Sequence, residues 1–223
     1  MKPFAILGFG ALLMAAPAQA GFTVPPNRPG AYAPREECQT APGARAFAAS
    51  LRGAVQRRDA NALLELSAND IKLDFGGGEG KALFREGLSG RGGPELWREL
   101  SLAVNSGCAV SDGDLVFPWM FAQNLGDVDT YDAMLAVGPA VPLYRRANAR
   151  GGPIARLNWQ IVIAQGDNSN PDETRRPFTR VLVVNSPLKG YVATSQLRSV
   201  IAYRLIASRL GSGWKITAFV AGD

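Results

Sequence analysis

Apolar residues recur at helical spacing in the first half of the chain. Phe47, Leu51 and Val55 follow one another every four residues, which predicts an amphipathic helix beginning near residue 43. Asp59 precedes a short leucine-rich stretch in the position of an N-cap. A second, shorter helix is therefore predicted over residues 60–66.

One strand and two more helices are expected to follow. Residues 71–75 alternate between apolar and polar, which is typical of a strand, and the glycine-rich residues 76–80 are expected to turn. Helical spacing returns over residues 81–88 and over residues 95–104, where a proline stands at the helix start. The pattern predicts an α+β region over residues 43–135.

The second half of the chain has the shorter period of strands. Residues 115–122 are a continuous apolar run broken by Pro118, which predicts an edge strand or a bent buried loop. Between residues 137 and 198, short apolar runs are separated by Gly, Pro and Asn. The chain then alternates on both sides of a Gly-Ser-Gly turn, which predicts a β-hairpin within residues 199–223.

This hairpin needs a partner surface, because an isolated hairpin is barely stable in water. We expect it to pack on the α+β region. The candidates for its buried face are Tyr203, Leu205, Trp214, Ile216 and Ala218.

Two segments at the start of the chain show neither the helical spacing of apolar residues nor the alternation of strands. Residues 1–20 combine the basic Lys2, an apolar stretch and Ala18-Gln19-Ala20, which is the pattern of a cleaved secretory signal peptide. Residues 21–42 contain five prolines and are expected to be an extended tether. No later apolar stretch reaches the length of a membrane span. These features predict a periplasmic or secreted protein without a transmembrane span.

Composition and charge narrow the expected partners. The chain is 47% hydrophobic, so it can form a core, and it carries a formal net charge of +5. The charge is concentrated between residues 140 and 198, where nine basic residues stand against three acidic ones. A basic module favours an anionic partner, although scattered surface arginines would have the same composition. No nucleic acid partner is expected.

Histidine is absent from the whole sequence. This excludes Ser-His-Asp and Cys-His nucleophile systems and imidazole bases. The two cysteines, Cys38 and Cys108, are expected to form a disulfide in an oxidising compartment; separate thiols remain the alternative. No metal site, no cofactor and no enzymatic activity are predicted.

Two other features resemble functional motifs only in part. The glycine-rich residues 75–81 lack the first Gly and the Ser or Thr of a phosphate-binding loop, so we interpret them as a structural turn. Asp70, Asp74 and Glu79 could supply paired carboxylates for acid–base chemistry. Surface or capping roles are the favoured interpretation of these three residues.

Residues 136–198 resemble the bacterial src-homology-3-like domain of exported proteins. The resemblance implies a small β-barrel that binds peptidoglycan, another peptide or an anionic envelope surface without catalysis. Its departures are Phe178 in place of a strand Trp and Pro-Leu-Tyr-Arg-Arg in place of Asn-Val-Arg-x-Gly-Pro. The matching pieces are Val141-Pro142-Leu143-Tyr144-Arg145, Pro153-Ile154-Ala155-Arg156-Leu157, Ile161-Val162-Ile163, Phe178-Thr179-Arg180-Val181, and Lys189-Gly190-Tyr191-Val192 followed by Leu197. The candidate ligand-binding residues in this module are Tyr144, Arg145, Arg146, Trp159 and Tyr191.

A second resemblance involves both ends of the exported chain. AVQRRDANALLEL and GSGWKITAFVAGD look like the start and finish of nuclear-transport-factor-like α+β folds. This likeness implies an alternative function, a small-molecule-binding or enzymatic cavity lined by Asp74, Tyr203 and Trp214. A third alternative is a structural subunit that exposes an apolar patch near residues 118–121.

Overall fold

The computed structural model describes residues 27–166 and 176–222. The predicted signal peptide, the first residues of the tether and the three acids of the basic module, Asp167, Asp172 and Glu173, lie outside the described residues. The described chain contains both helices and sheets, which confirms the α+β class. None of its helices combines the length and the hydropathy that crossing a bilayer requires.

The four α-helices of the described residues lie in the first half of the chain. They are α1 (Ala44–Gln56), α2 (Ala60–Glu65), α3 (Lys81–Ser89) and α4 (Gly93–Asn105), and short 3-10 helices occupy Glu37–Thr40, Trp119–Ala122 and Thr194–Gln196. The strands are β1 (Ser67–Lys72), β2 (Ala109–Ser111), β3 (Asp114–Phe117), β4 (Ala133–Ala136), β5 (Val141–Leu143), β6 (Ala155–Leu157), β7 (Ile161–Ala164), β8 (Phe178–Val183), β9 (Lys189–Ala193), β10 (Leu197–Ser199), β11 (Arg204–Leu210) and β12 (Gly213–Val220).

Capping and proline residues set the starts of two helices, α2 and α4. The carboxylate of Asp59 accepts a hydrogen bond from the backbone N–H of Ala62 at 3.0 Å, so it caps α2 as predicted. Pro94 lies in the first turn of α4, where its missing N–H costs no helical hydrogen bond.

The first strand, β1, begins at Ser67, four residues before the prediction, because Ser67 already pairs with Ile216 of β12. Its predicted end, residues 73–75, belongs to the turn.

The first sheet has the strand order β1-β12-β11-β3-β2, and β1 runs parallel to β12. Side chains from all four helices and from this sheet share one core, which includes Leu51, Leu63, Phe84 and Leu100 at no more than 1% exposure. The predicted hairpin, β11 and β12, therefore lies in the middle of the sheet beneath the helices.

A β-bulge corrects the predicted face of this hairpin. Ile206 pairs with Ala218 while Ala207 pairs with Ile216, so Thr217 is an extra residue on β12. The bulge reverses the direction of the side chains that follow it. Phe219, at 1% exposure, takes the core position predicted for Ala218, which is only half-buried.

The apolar run around Pro118 is buried. β3 pairs with both β2 and β11, so it is an interior strand rather than the edge strand that was one of the predictions. A cis peptide bond precedes Pro118, and the following 3-10 helix buries Trp119 and Met120. The exposed patch proposed for a structural subunit is therefore absent from this segment.

The second sheet has the order β10-β4-β7-β8-β9, and β5 and β6 form a separate hairpin. Side chains from all seven strands meet in one core, including Val141, Leu157, Val162, Val181 and Val192, and the half-buried Leu197 of β10 packs against it. Among the described residues, the hydrogen bonds do not close these strands into a barrel, because β9 and β10 are the two ends of the sheet. One isolated bridge between Tyr144 and Tyr191 joins the hairpin to β9.

The described part of the tether is docked rather than free. The side-chain amide of Asn27 donates to the carbonyls of Ile161 at 2.9 Å and Val184 at 2.8 Å, as a neighbouring strand would. Tyr32 is 3% exposed, and the N–H of Cys108 donates to the carbonyl of Arg35 at 2.7 Å. Residues 27–42 therefore connect the second sheet to the first, because they form hydrogen bonds with residues at both sheets.

Burial of Tyr32 should make the protein less stable at high pH. Desolvation raises the pKa of the Tyr32 phenol above 10.0. As the pH rises, the unfolded chain loses this proton before the folded protein does. The contribution of Tyr32 to the free energy of unfolding is therefore fully present below about pH 10 and is lost as the pH rises further. Tyr32→Phe is expected to flatten this decline in urea unfolding between pH 8 and 11. Tyr131→Phe, at a position 69% exposed, is the control and should keep the wild-type decline; identical profiles for all three proteins would contradict the prediction.

Candidate binding groove

A groove of about 450 Å³ opens at one end of the second sheet. It lies between the loop after β5, the loop after β7, and strands β8 and β9. Its described lining combines two aromatic rings, two arginines, two threonines, a methionine, a glutamine and two small residues: Met134, Ala147, Gln165, Gly166, Arg176, Phe178, Thr179, Arg180, Tyr191 and Thr194.

Strand pairing positions the aromatic and basic side chains. Arg180 of β8 stands directly opposite Tyr191 of β9, so their side chains leave the same face of the sheet. The ring of Tyr144 meets that of Phe178 edge to face, with centroids 5.8 Å apart. Tyr144 and Tyr191 exchange two backbone hydrogen bonds of 2.8 Å. These contacts place three aromatic rings at or beside the groove and direct the side chain of Arg180 to the same face of the sheet.

A glycine allows the two parts of the wall to approach closely. A Cβ at Gly190 would lie 2.4 Å from the carbonyl oxygen of Tyr144, well inside van der Waals contact. Any other residue at position 190 would separate β9 from β5. Thr194 anchors the far edge, where its hydroxyl donates to the carbonyl of Arg176 at 2.6 Å.

The groove is electropositive over its described lining. Arg176 and Arg180 line it, and none of its described lining residues is acidic. Arg145 and Arg146 are exposed on the loop after β5, next to the lining residue Ala147. A concave surface whose charged side chains are all positive raises the local concentration of anionic ligands.

The predicted ligand-binding residues divide into two groups. Tyr191 lines the groove, Tyr144 supports its wall, and Arg145 and Arg146 lie beside it. Trp159 lies elsewhere: its carbonyl accepts a hydrogen bond from the N–H of Tyr32 at 3.2 Å, and its ring packs against the core beneath the docked N-terminal segment. The structure thus gives Trp159 a packing role that its position in the basic module did not reveal.

Sequence reasoning missed the residues that β8 contributes. Phe178 and Arg180 alternate with the buried residues of that strand and so share its outer face. The same alternation is visible in the sequence, where Phe178-Thr179-Arg180-Val181 carries part of the family resemblance. Arg176 comes just before it and had no signal beyond its charge.

The three residues of the alternative cavity are likewise only partly brought together. Asp74 and Tyr203 line a second cavity of about 600 Å³ beside α3 and α4. Trp214 is not among its described lining residues, and its indole N–H donates to the carbonyl of Pro42 at 2.9 Å. Asp74 accepts hydrogen bonds from the N–H groups of Gly76 and Gly78, so it also holds the glycine-rich turn.

Cys38 and Cys108 form the predicted disulfide. Together with Glu36 they are the one group of potential metal ligands within the described ranges. Both sulfurs belong to the disulfide, so neither can act as the thiolate that binds metals. A disulfide fits a protein of an oxidising compartment.

Comparisons with protein-family models, with curated proteins and with solved structures find no match to this chain. The two family resemblances therefore rest on the residues quoted for them above.

Proposed function

We propose that the protein is an exported, non-catalytic cell-envelope binding protein. In this proposal residues 136–198 form a src-homology-3-like module, and its groove binds an anionic partner such as wall peptide. The observation that carries the proposal is the groove itself, in which arginines and aromatic rings meet and no described lining residue is acidic.

The chemistry of the lining suits a peptide carboxylate. A guanidinium such as that of Arg180 binds a carboxylate through two parallel N–H donors. The rings of Phe178 and Tyr191 offer apolar surface to the rest of a short peptide. A volume of about 450 Å³ lies within the usual range of small-ligand sites.

The packing of the second half supports a src-homology-3-like module. Inward residues of β4 to β9 share a single small core, as in a barrel, and the bridge between Tyr144 and Tyr191 brings the β5–β6 hairpin against β9. The hydrogen-bonded order is open, so the resemblance to a barrel lies in the packing of side chains. The groove opens where this hairpin meets β8 and β9.

Export and lack of catalysis rest on other observations. The secretory pattern of residues 1–20 and the disulfide favour an oxidising compartment outside the cytoplasm. The sequence contains no histidine, so the commonest general base of hydrolases is missing. These features support a protein that holds a ligand rather than transforms it.

Sedimentation with purified peptidoglycan tests the proposal. The protein, purified after export, should co-sediment at low salt and dissociate as salt screens the arginines. Arg145→Ala combined with Arg180→Ala is expected to weaken binding about tenfold, because each exposed charge-assisted contact contributes roughly 0.5–1 kcal/mol. Neither side chain supports the core, so the variant should fold normally.

The matched control removes two exposed arginines far from the groove, Arg45→Ala with Arg91→Ala. It lowers the net charge equally and should bind as the wild type does. Equal losses in both variants would show unspecific charge attraction. Failure of the wild type to sediment at any salt concentration would reject peptidoglycan as the partner and the proposal with it.

A further inference from the structure

The second cavity has an aromatic floor. Phe84 and Phe219 are each 1% exposed, and their ring centroids lie 6.2 Å apart. The ring of Tyr203 stacks on Phe219 with centroids 4.7 Å apart and planes inclined by 22°. The faces of such rings carry negative electrostatic potential, so they attract cations.

Carboxylates stand around this floor. Asp74, Glu86 and Glu95 line the cavity, and no lysine or arginine is found among its described lining residues. A hydrogen bond from Arg98 lowers the pKa of Glu95, which keeps that carboxylate ionised at neutral pH. Glu95 is thus already paired, and Asp74 holds the glycine-rich turn through its Oδ1. Glu86 and the Oδ2 of Asp74 are left to face a ligand. Within the described chain, Glu86 has no side-chain hydrogen bond or ion pair.

The arrangement favours an organic cation over a metal ion. The three carboxylates are not grouped within the 4.8 Å of one another that a shared metal ion requires. Apolar side chains, including Leu73, Leu83 and Leu96, also line the cavity. An apolar body would bury this surface, and its positive charge would meet the rings and the acids together.

We propose that this cavity binds an organic cation, an ammonium group carried on an apolar body. Tyr203, stacked on the buried ring of Phe219, provides the ring face, and Asp74 and Glu86 provide the counter-charges. The site shares no described lining residue with the groove of the second sheet, so the two proposals can be tested independently.

Three probes that share one aromatic ring test the charge preference. The protein, purified after export, is titrated by calorimetry or NMR with benzyltrimethylammonium, with neutral benzyl alcohol and with anionic phenylacetate. The cation is expected to bind about tenfold more tightly than the alcohol, and phenylacetate more weakly than either. NMR shifts should change at Tyr203 and Phe219.

Conservative variants assign the charges. Glu86→Gln and Asp74→Asn are each expected to weaken binding of the cation about two- to fivefold and to leave the alcohol unchanged. Asn at position 74 keeps the oxygen that accepts from Gly76 and Gly78, so the turn survives. Tyr203→Leu should weaken the cation more than the alcohol.

Glu65→Gln is the matched control, because Glu65 is an exposed acid at the end of α2 and outside the cavity. It should not alter binding, nor should Arg145→Ala with Arg180→Ala in the groove. Equal affinities for the cation and the alcohol would overturn the proposal. So would an undetectable interaction with the cation at millimolar concentration, or equal effects of Glu86→Gln and Glu65→Gln.

Discussion

Replacement of both Cys38 and Cys108 with alanine is expected to lower the free energy of unfolding by about 4 kcal/mol. The disulfide joins residues 70 positions apart, and the unfolded chain gains the entropy of that loop when the bond is removed. Both residues are fully buried, so alanine avoids placing an unpaired hydroxyl in the core. For a chain of this size the loss corresponds to a fall in Tm of about 8–16 °C.

Urea unfolding of three samples checks this result: the wild type, the wild type with a reductant, and the double variant. The reduced wild type and the variant should coincide, and reductant should leave the variant unchanged. Backbone hydrogen bonds of Cys108 to Arg35 and Glu37 remain in the variant, so the N-terminal segment should stay docked in the folded state. A loss below about 1 kcal/mol would contradict the entropic account.

Features set by local chemistry could be predicted from the sequence. The N-cap at Asp59, the proline at the start of α4 and the four-residue spacing of Phe47, Leu51 and Val55 each determine a helix within a few residues. The glycines between β11 and β12 determine a turn in the same way. In each case the deciding interactions lie within about one helical turn or one hairpin.

Features set by distant partners could not be predicted. The prolines of residues 21–42 predicted only an extended tether, because nothing local shows that Asn27 hydrogen-bonds to residues more than 130 positions away. The bulge at Thr217 depends on the pairing of β11 with β12, and the early start of β1 depends on β12. Pairing between distant strands decides where each strand ends and which of its side chains are buried, and the local sequence pattern does not show this pairing.

The candidate groove shows the same division. Tyr144 and Tyr191 were predicted as binding residues, and the backbone bridge between them places both at the groove. Trp159 was predicted because it belongs to the basic segment, yet it is half-buried against the core that contains Tyr32. Arg180 was missed because its value as a site residue comes from Tyr191 opposite it on β9. Membership of a segment does not decide which face of it a side chain occupies.

Removal of the Glu99 carboxylate is the other change expected to have a large effect. Glu99 of α4 and Arg198 of β10 have side chains 11% and 9% exposed, and they form an ion pair at 2.6 Å that joins the helices to the second sheet. Glu99→Ala leaves the Arg198 guanidinium buried, with the carbonyl of Tyr203 as its remaining hydrogen-bond partner among the described residues. An uncompensated buried charge of this kind costs about 3–5 kcal/mol.

A double-mutant cycle measured by urea unfolding separates the pair from its surroundings. Arg198→Met should cost less than Glu99→Ala, because Glu99 keeps its second ion pair, with Arg98 at 2.8 Å. Combining Arg198→Met with Glu99→Ala should cost less than the sum of the two single changes, since the double variant leaves neither charge buried without its partner. Glu95→Ala, which breaks the exposed pair of Glu95 with Arg98, is the control and should cost less than about 1 kcal/mol. Additive effects of the two buried changes would show that the two halves of the protein are not coupled through this ion pair.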